Sequence, residues 1–450
     1  MNRRVICALV ALAPARGYAD GIAIIGGSPR AIGRAGTATV GDDGGGALLI
    51  NPAAMARRDT LRVQLGLSVN EDEINWRSDA SDAHTSSGQA GSELVPLGAV
   101  IGAIGDWILG AGAMRSGVSE RQLERPGDVR VPLYDNFDFR YAGIAGSYRR
   151  DTLTIGAARR IGDTLALGLS FGVSQVRVAE HRRIWAGFGG VEKIGSPLSD
   201  VDVEISARDR FTPSAVVGLM YAPEDTSIEL GASVAWSGTA QLTGSTTATG
   251  SALATMARYA STPTAAMEVR QPVAVRAGGR YVGDRVVGEL GGDVWIAPAN
   301  SESIQWDIAG VELLRPPNRT ADLTSLPSRI SQHTHVALRT SVDVELIPGF
   351  LWATAGYAYA NLGTPASHLS PSFGDLGGQT LGLGLETTSG SVTVTLGWSR
   401  TWAISTRAPA DLRYDNPFPV AGDGPVPSGT YDGSLDQIGI LIEADLASSP

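Results

Sequence analysis

Lysine is nearly absent from this sequence. Lys193 is the only one, and every other basic residue is arginine. Cysteine is as scarce: Cys7 stands alone, which excludes an intramolecular disulfide and any cysteine-based zinc site. Aromatic residues make up 6% and charged residues 18%, against roughly 25% charge in an ordinary soluble domain. Positive charge is also in deficit. The net charge is −10, and no Lys/Arg stripe exists to neutralise phosphates, so nucleic acid is not expected as a partner. Mean hydropathy is only +0.02, too low for a bundle of membrane helices. The most apolar stretch, Leu94 to Met114, carries Pro96, Gly98, Gly102, Gly105, Gly110 and Gly112, with Asp106 near its centre. A central Asp costs ~3 kcal/mol on insertion scales, and repeated Gly weakens a helix. Gly105-Asp106 predicts a tight turn between two strands instead.

What is present is glycine, 57 of 450 residues, and enough apolar residues (43%) to bury a core. The first 19 residues have the order of a secretory signal. Arg3 and Arg4 precede an apolar run from Val5 to Ala13, and Gly17-Tyr18-Ala19 offers small residues for cleavage after Ala19. Such a run is too short to anchor a protein in a bilayer.

Beyond residue 60 the chain alternates with a period of two. Val392, Val394, Leu396 and Trp398 alternate with Thr393, Thr395, Gly397 and Ser399. Val336, Leu338, Val342 and Val344 alternate with His335, Arg339, Ser341 and Asp343. The pattern predicts 14 strands, near 60–74, 92–104, 106–118, 140–160, 163–184, 200–223, 226–242, 264–283, 285–302, 330–346, 350–364, 374–389, 391–406 and 434–447. Six short turns alternate with seven long polar loops, at 75–91, 119–139, 185–199, 243–263, 303–329, 365–373 and 407–433. Short turns on one rim and long loops on the other are the outer-membrane pattern, and an even strand number closes the sheet without an edge. The fold expected is all-β: a 14-stranded antiparallel transmembrane β-barrel. Trp76, Trp185, Trp236, Trp295, Trp306 and Trp402 fall toward the loop ends, and Trp107 and Trp352 toward the turn rim. Two interfacial aromatic girdles are expected from them.

Catalytic and metal patterns fail. Gly168-Leu169-Ser170-Phe171-Gly172 matches G-x-S-x-G but sits inside an alternating strand, not at a strand-to-helix elbow. His333 and His335 lack a third ligand, and His84, His181 and His368 suggest nothing specific. No enzyme activity, cofactor or metal is expected.

Residues 20–59 do not alternate. They read Gly33-Arg34-Ala35-Gly36-Thr37-Ala38, Val40-Gly41-Asp42-Asp43 and Asn51-Pro52-Ala53-Ala54-Met55. This order resembles the hatch of the outer-membrane long-chain fatty-acid and hydrophobic-compound transporter family (FadL-type, OMPP1/TodX-like). Pro272–Tyr281 with Gly283-Asp284, Gly356-Tyr357-Ala358-Tyr359 and Leu381–Leu385 extend the likeness through the barrel. One departure is the end of the chain, Leu446-Ala447-Ser448-Ser449-Pro450, where outer-membrane barrels usually carry an aromatic residue for the barrel-assembly machinery.

The resemblance implies a signal peptide over 1–19, a lumen-plugging hatch over 20–59 and a transmembrane barrel over 60–450. It implies passive uptake of a hydrophobic small molecule such as a fatty acid, with sideways release into outer-membrane lipid, by a monomer that uses the assembly machinery. Asn51, Pro52, Ala53, Gly41 and Asp42 would gate the hatch, with Gly44, Gly45 and Gly46 supplying flexibility. Gly110, Gly112 and Gly117 mark the third strand as the candidate inward kink. Arg276, Arg280 and Arg339 are candidates to hold a carboxylate head group, with cross-strand pairing to Glu268, Glu289, Asp293 or Asp343 as the alternative. A general porin for polar solutes is the rival function.

Overall fold

The computed structural model describes residues 18–19, 27–79, 84–85, 92–122, 141, 143–187, 199–250, 256–299, 301, 304–315, 319–328, 330–408, 416–418 and 429–446. Fourteen antiparallel strands close into one ring. In chain order they are β1 Leu61–Ser78, β2 Glu93–Ile104, β3 Trp107–Gln122, β4 Ala145–Ile161, β5 Leu165–Trp185 and β6 Asp200–Tyr221. They continue with β7 Ile228–Ser237, β8 Val273–Val282, β9 Val286–Ile296, β10 His335–Ile347, β11 Leu351–Ala360, β12 Gly377–Ser389, β13 Val392–Trp402 and β14 Gly429–Leu446. Each pairs with the next, and β1 pairs with β14 from Leu61↔Leu446 to Ser78↔Gly429. Among the described residues the ring therefore closes without a free edge strand, and one seam short of rungs lies between β7 and β8, above the Ala235–Ala274 pair.

The period-two pattern decides which way the sheet faces. Leu65 is 66% exposed and Leu153 64%, both on the outside. Their neighbours Gln64, Thr152 and Thr154 point inward and are buried. The same holds for exposed Leu290 and Leu338 beside buried Glu289 and Arg339. An apolar exterior continuous around the ring is far larger than the few hundred Å² a protein in water tolerates. It is the surface of a barrel immersed in a bilayer.

The short turns lie where the sequence places them. Gly105 and Gly390 take φ of 59° and 62°, the left-handed backbone that a two-residue hairpin turn needs. Leu94 to Met114 is the β2–β3 hairpin around that first turn.

The loop side differs from expectation. Much of 243–263 and 303–329 is strand: Ala240–Gly250 continues β7, Met256–Val269 leads into β8, and Gln305–Arg315 pairs with the latter. Their inward side chains, including Leu242, Met267, Trp306 and Leu313, join Val201, Val203 and Ile205 of β6 in a separate apolar core. The tryptophan girdles also need correction. Trp76, Trp185 and Trp306 are buried in the loop-side assembly, and Trp295 stacks on His335 at 4.6 Å. Trp236 and Trp402 are half-exposed at the loop side and Trp107 at the turn rim.

Candidate functional site

Residues 27–59 lie inside the ring. Two short helices, α1 Pro29–Gly33 and α2 Ala47–Ile50, are followed by a 3₁₀ turn over Pro52–Arg57. Ser28 caps α1 by accepting from Ala31 N at 3.3 Å, and its Oγ donates to Asp42 at 2.7 Å. Asp42 also accepts from Gly44 N at 3.1 Å, which closes the loop between the helices. Asn51 is wholly buried. Its Oδ1 accepts from Ala53 N (3.2 Å), and its Nδ2 donates to Thr39 O (2.8 Å) and Leu219 O (3.4 Å). Pro52 starts the 3₁₀ turn, where its missing N–H is not needed. Asn51, Pro52 and Ala53 thus fix both the fold of the segment and its seat on β6.

The wall makes room for the segment by giving up side chains. A Cβ at Gly168 would overlap the backbone of Pro52-Ala53, and one at Gly218 the Asn51 side chain. Gly356 and Gly382 stand in the same way against Arg34-Ala35. Gly110 and Gly112 pack on Leu48 and Met55. Gly44, Gly45 and Gly46 have no spare volume either: a Cβ there would meet Gln64, Ala99 or Asp42. Ala35 adopts φ 50°, a strained position for a non-glycine residue.

One face of the segment is apolar: Leu48, Ala53, Ala54 and Met55 pack on Ile101, Ile108, Ala158 and Met220. The other face is charged. Arg30 pairs with Glu386 (2.9 Å) and Glu443, and Arg34 with Asp343 (2.8 Å). Arg57 pairs with Glu229, and Val40 N donates to Glu289 at 2.9 Å. Asp43 lies 2.6 Å from Arg58, 3.7 Å from Arg30 and 3.8 Å from Arg62. Burial would raise its carboxyl pKa, but Arg58 and Arg30 outweigh burial and hold it well below the usual carboxylate range. None of Arg30, Arg34, Arg57, Arg58 or Asp43 is a sequence-predicted site residue. The barrel partners of Arg30 and Arg34 lie more than 300 positions away and that of Arg57 172 away, and only the bias toward arginine, suited to forked carboxylate pairing, hinted at them.

Above this floor lies a cavity of about 230 Å³. Leu49 and Ile50 of the segment, Val216, Trp236 and Trp295 supply apolar lining, and Tyr148, Arg150, Gln271, Arg276, Gln332 and His335 supply polar groups. Of the three arginines expected at a head group, only Arg276 lines it. Arg280 pairs with Glu229 at 3.2 Å. Arg339 pairs with Asp293 at 2.9 Å and donates to Ala35 O. Gly117 also lines the cavity, next to a β-bulge at Ser116 where the β3–β4 register slips by one residue. Gly110 and Gly112 sit below the bulge in regular ladder.

Ser170 of the G-x-S-x-G match is mid-strand, and its Oγ donates to Leu48 O at 2.7 Å. His335 Nδ1 lies 3.1 Å from His333 O. Among the described residues no group of three metal-ligating side chains converges.

No protein-family model and no curated protein sequence matches this chain. Solved structures do match in fold. A FadL homologue from Pseudomonas aeruginosa superposes with a TM-score of 0.71 at 14% identity, covering 96% of this chain and 100% of that one. The toluene transporter TodX of P. putida gives 0.65 at 15% identity, with 95% and 100% covered. The toluene transporter TbuX of Ralstonia pickettii gives 0.64 at 14% identity, with 94% and 99% covered. The chain therefore has the fold of FadL-type barrels.

Proposed function

We propose that this protein is an outer-membrane channel that lets hydrophobic compounds cross passively. The observation that carries the reading is the partly apolar cavity, floored by the segment inside a lipid-facing barrel. A hydrophobic molecule gains ~0.8 kcal/mol for each CH₂ it buries, whereas a watery pore offers it nothing. The names of the barrels it matches in fold, a FadL homologue and two toluene transporters, agree with cargo of that chemistry. A porin for polar solutes needs an open lumen, and here helices, ion pairs and packed glycines occupy the turn-side half.

On this reading residues 20–59 are a hatch, delivered to the periplasm by a signal over 1–19 and folded with the barrel-assembly machinery. Asn51, Pro52, Ala53, Gly41 and Asp42 hold it shut. The Ser116 bulge beside Gly117 is the place where β3 yields and releases cargo to the bilayer. Arg276 steadies the polar end of an amphipathic ligand. The protein acts as a monomer, with no catalytic step and no cofactor.

The test is uptake by cells that lack their own lipophile transporter. They would express the chain or its Asn51→Ala/Pro52→Ala variant, with outer-membrane insertion checked by heat-modifiable gel migration. Labelled oleate and toluene are supplied in parallel. Uptake of either compound, altered in the variant, supports the reading and names the substrate class. Correctly inserted protein that takes up neither sinks it.

A further inference from the structure

The ladder between β7 and β8 breaks without slipping. Ala235 pairs with Ala274 below the break, and Ala240 with Val269 above it. These pairs share one register, so Trp236, Ser237, Gly238 and Thr239 stand opposite Val273, Pro272, Gln271 and Arg270. None of these four rungs forms. The causes are local. Pro272 has no N–H to donate. Gly238 N–H turns away to Pro213 O at 2.8 Å, on β6. Arg270, Gln271 and Pro272 belong to no strand.

Both lips reach the central cavity: Trp236, Ser237, Gln271 and Pro272 all line it. They also reach the outer surface. Trp236 is 51% exposed and Phe211, on the neighbouring strand, 66%. Above them the outward side chains turn polar: Arg208, Arg210, Gln241, Glu268 and Arg270 are exposed. The break therefore lies where the apolar belt meets the polar outer part of the barrel, the depth at which an amphipath rests with its head in water. Arg150, which donates to Ser174 at 2.9 Å and to Ser237, sits just inside.

We infer that this break is a side port. Through it a single-chain amphipath lying at the lipid–water boundary slips its apolar part into the cavity while its head stays beside Arg270 and Gln271. The inference rests on the channel reading but adds a route four strands round the ring from the β3 bulge.

The test ties the lips together. Ser237→Cys/Pro272→Cys places thiols on facing positions in a chain whose only other cysteine is Cys7. Dibromobimane then tethers them, with each single variant, labelled but untethered, as control. Tethering is expected to slow uptake of labelled oleate about tenfold, which is ~1.4 kcal/mol on the barrier. A second variant, Pro272→Val, restores the missing N–H and is expected to slow uptake in the same direction without any reagent. Unchanged uptake in the tethered protein and in Pro272→Val overturns the port, while the wild-type uptake in the same assay keeps the channel reading standing. Absent wild-type uptake overturns both.

Discussion

The two halves of β6 teach how one strand serves two solvents. In its outer part Val201, Val203, Ile205 and Ala207 face inward and are buried, while Glu204 and Arg208 face outward. In its lower part the phase shifts: Val217, Leu219 and Tyr221 face outward, and Thr212, Ser214, Val216, Gly218 and Met220 face the interior. A bulge between them resets the alternation, because Val176 pairs with Asp209 but Ser174 with Thr212. Asp209 ties the bulge down by accepting from Phe211 N (2.9 Å), Thr212 Oγ1 (2.9 Å) and Gln241 N (3.0 Å). The lower lumen holds the N-terminal segment by ion pairs on one face and by apolar packing that includes Met220 on the other; the upper lumen is held by an apolar core. The lower half should therefore respond to charge as well as volume, and the upper half chiefly to volume.

The largest effect is expected from Arg30→Met. It removes the arginine from Glu386 and one of the two arginines from buried Glu443, which keeps Arg62 at 2.9 Å, so about 3 kcal/mol is expected, the low end for breaking a buried pair. The segment should then leave its seat, read as protease cleavage between 27 and 59 and as steady conductance in planar bilayers. Intact protection would refute the charge latch. Gly218→Val comes next, at roughly 1–3 kcal/mol of overpacking against Asn51. It should loosen the segment while the barrel keeps its heat-modifiable migration.

Trp295→Ala sharpens the contrast from above. It should enlarge the cavity and weaken hydrophobic-ligand binding by ~1–2 kcal/mol, with conductance unchanged. Acid tests the latch in another way. The depressed pKa of Asp43 stabilises the seated segment above the unfolded value of about 4, and that contribution fades as pH falls toward the lower folded value. Protease protection should thus be flat between about pH 7 and 5 and weaken only below about 4. The smallest effect is a gain: Ala35→Gly relieves the left-handed backbone by about 1 kcal/mol, visible as slower cleavage of the segment.

Strand number and short turns were legible because lipid-facing strands alternate strongly and their turns carry Gly-Asp, Pro-Gly or Ser-Gly pairs. The strands Ala240–Gly250 and Gln305–Arg315 were hidden. There the outward face is polar, so segments such as Thr243 to Gly250 read as loops. Within the site, Asn51-Pro52-Ala53 was singled out through the family resemblance, and its hydrogen bond from Ala53 N to Asn51 is local in sequence. Arg30 with Glu443, or Arg34 with Asp343, was not, since such pairs join residues far apart in sequence. The arginines expected at a head group showed the same limit: Asp293 and Glu229 already engage Arg339 and Arg280.

The glycines of the wall carry one more consequence. At Gly168, Gly218, Gly356 and Gly382 the barrel is hollowed to the outline of the segment, as a mould keeps the shape of its casting. A segment transplanted from another barrel would meet hollows in the wrong places and stand proud of the wall. The two parts are a fitted pair, and exchanging either between relatives requires carrying its counterpart along.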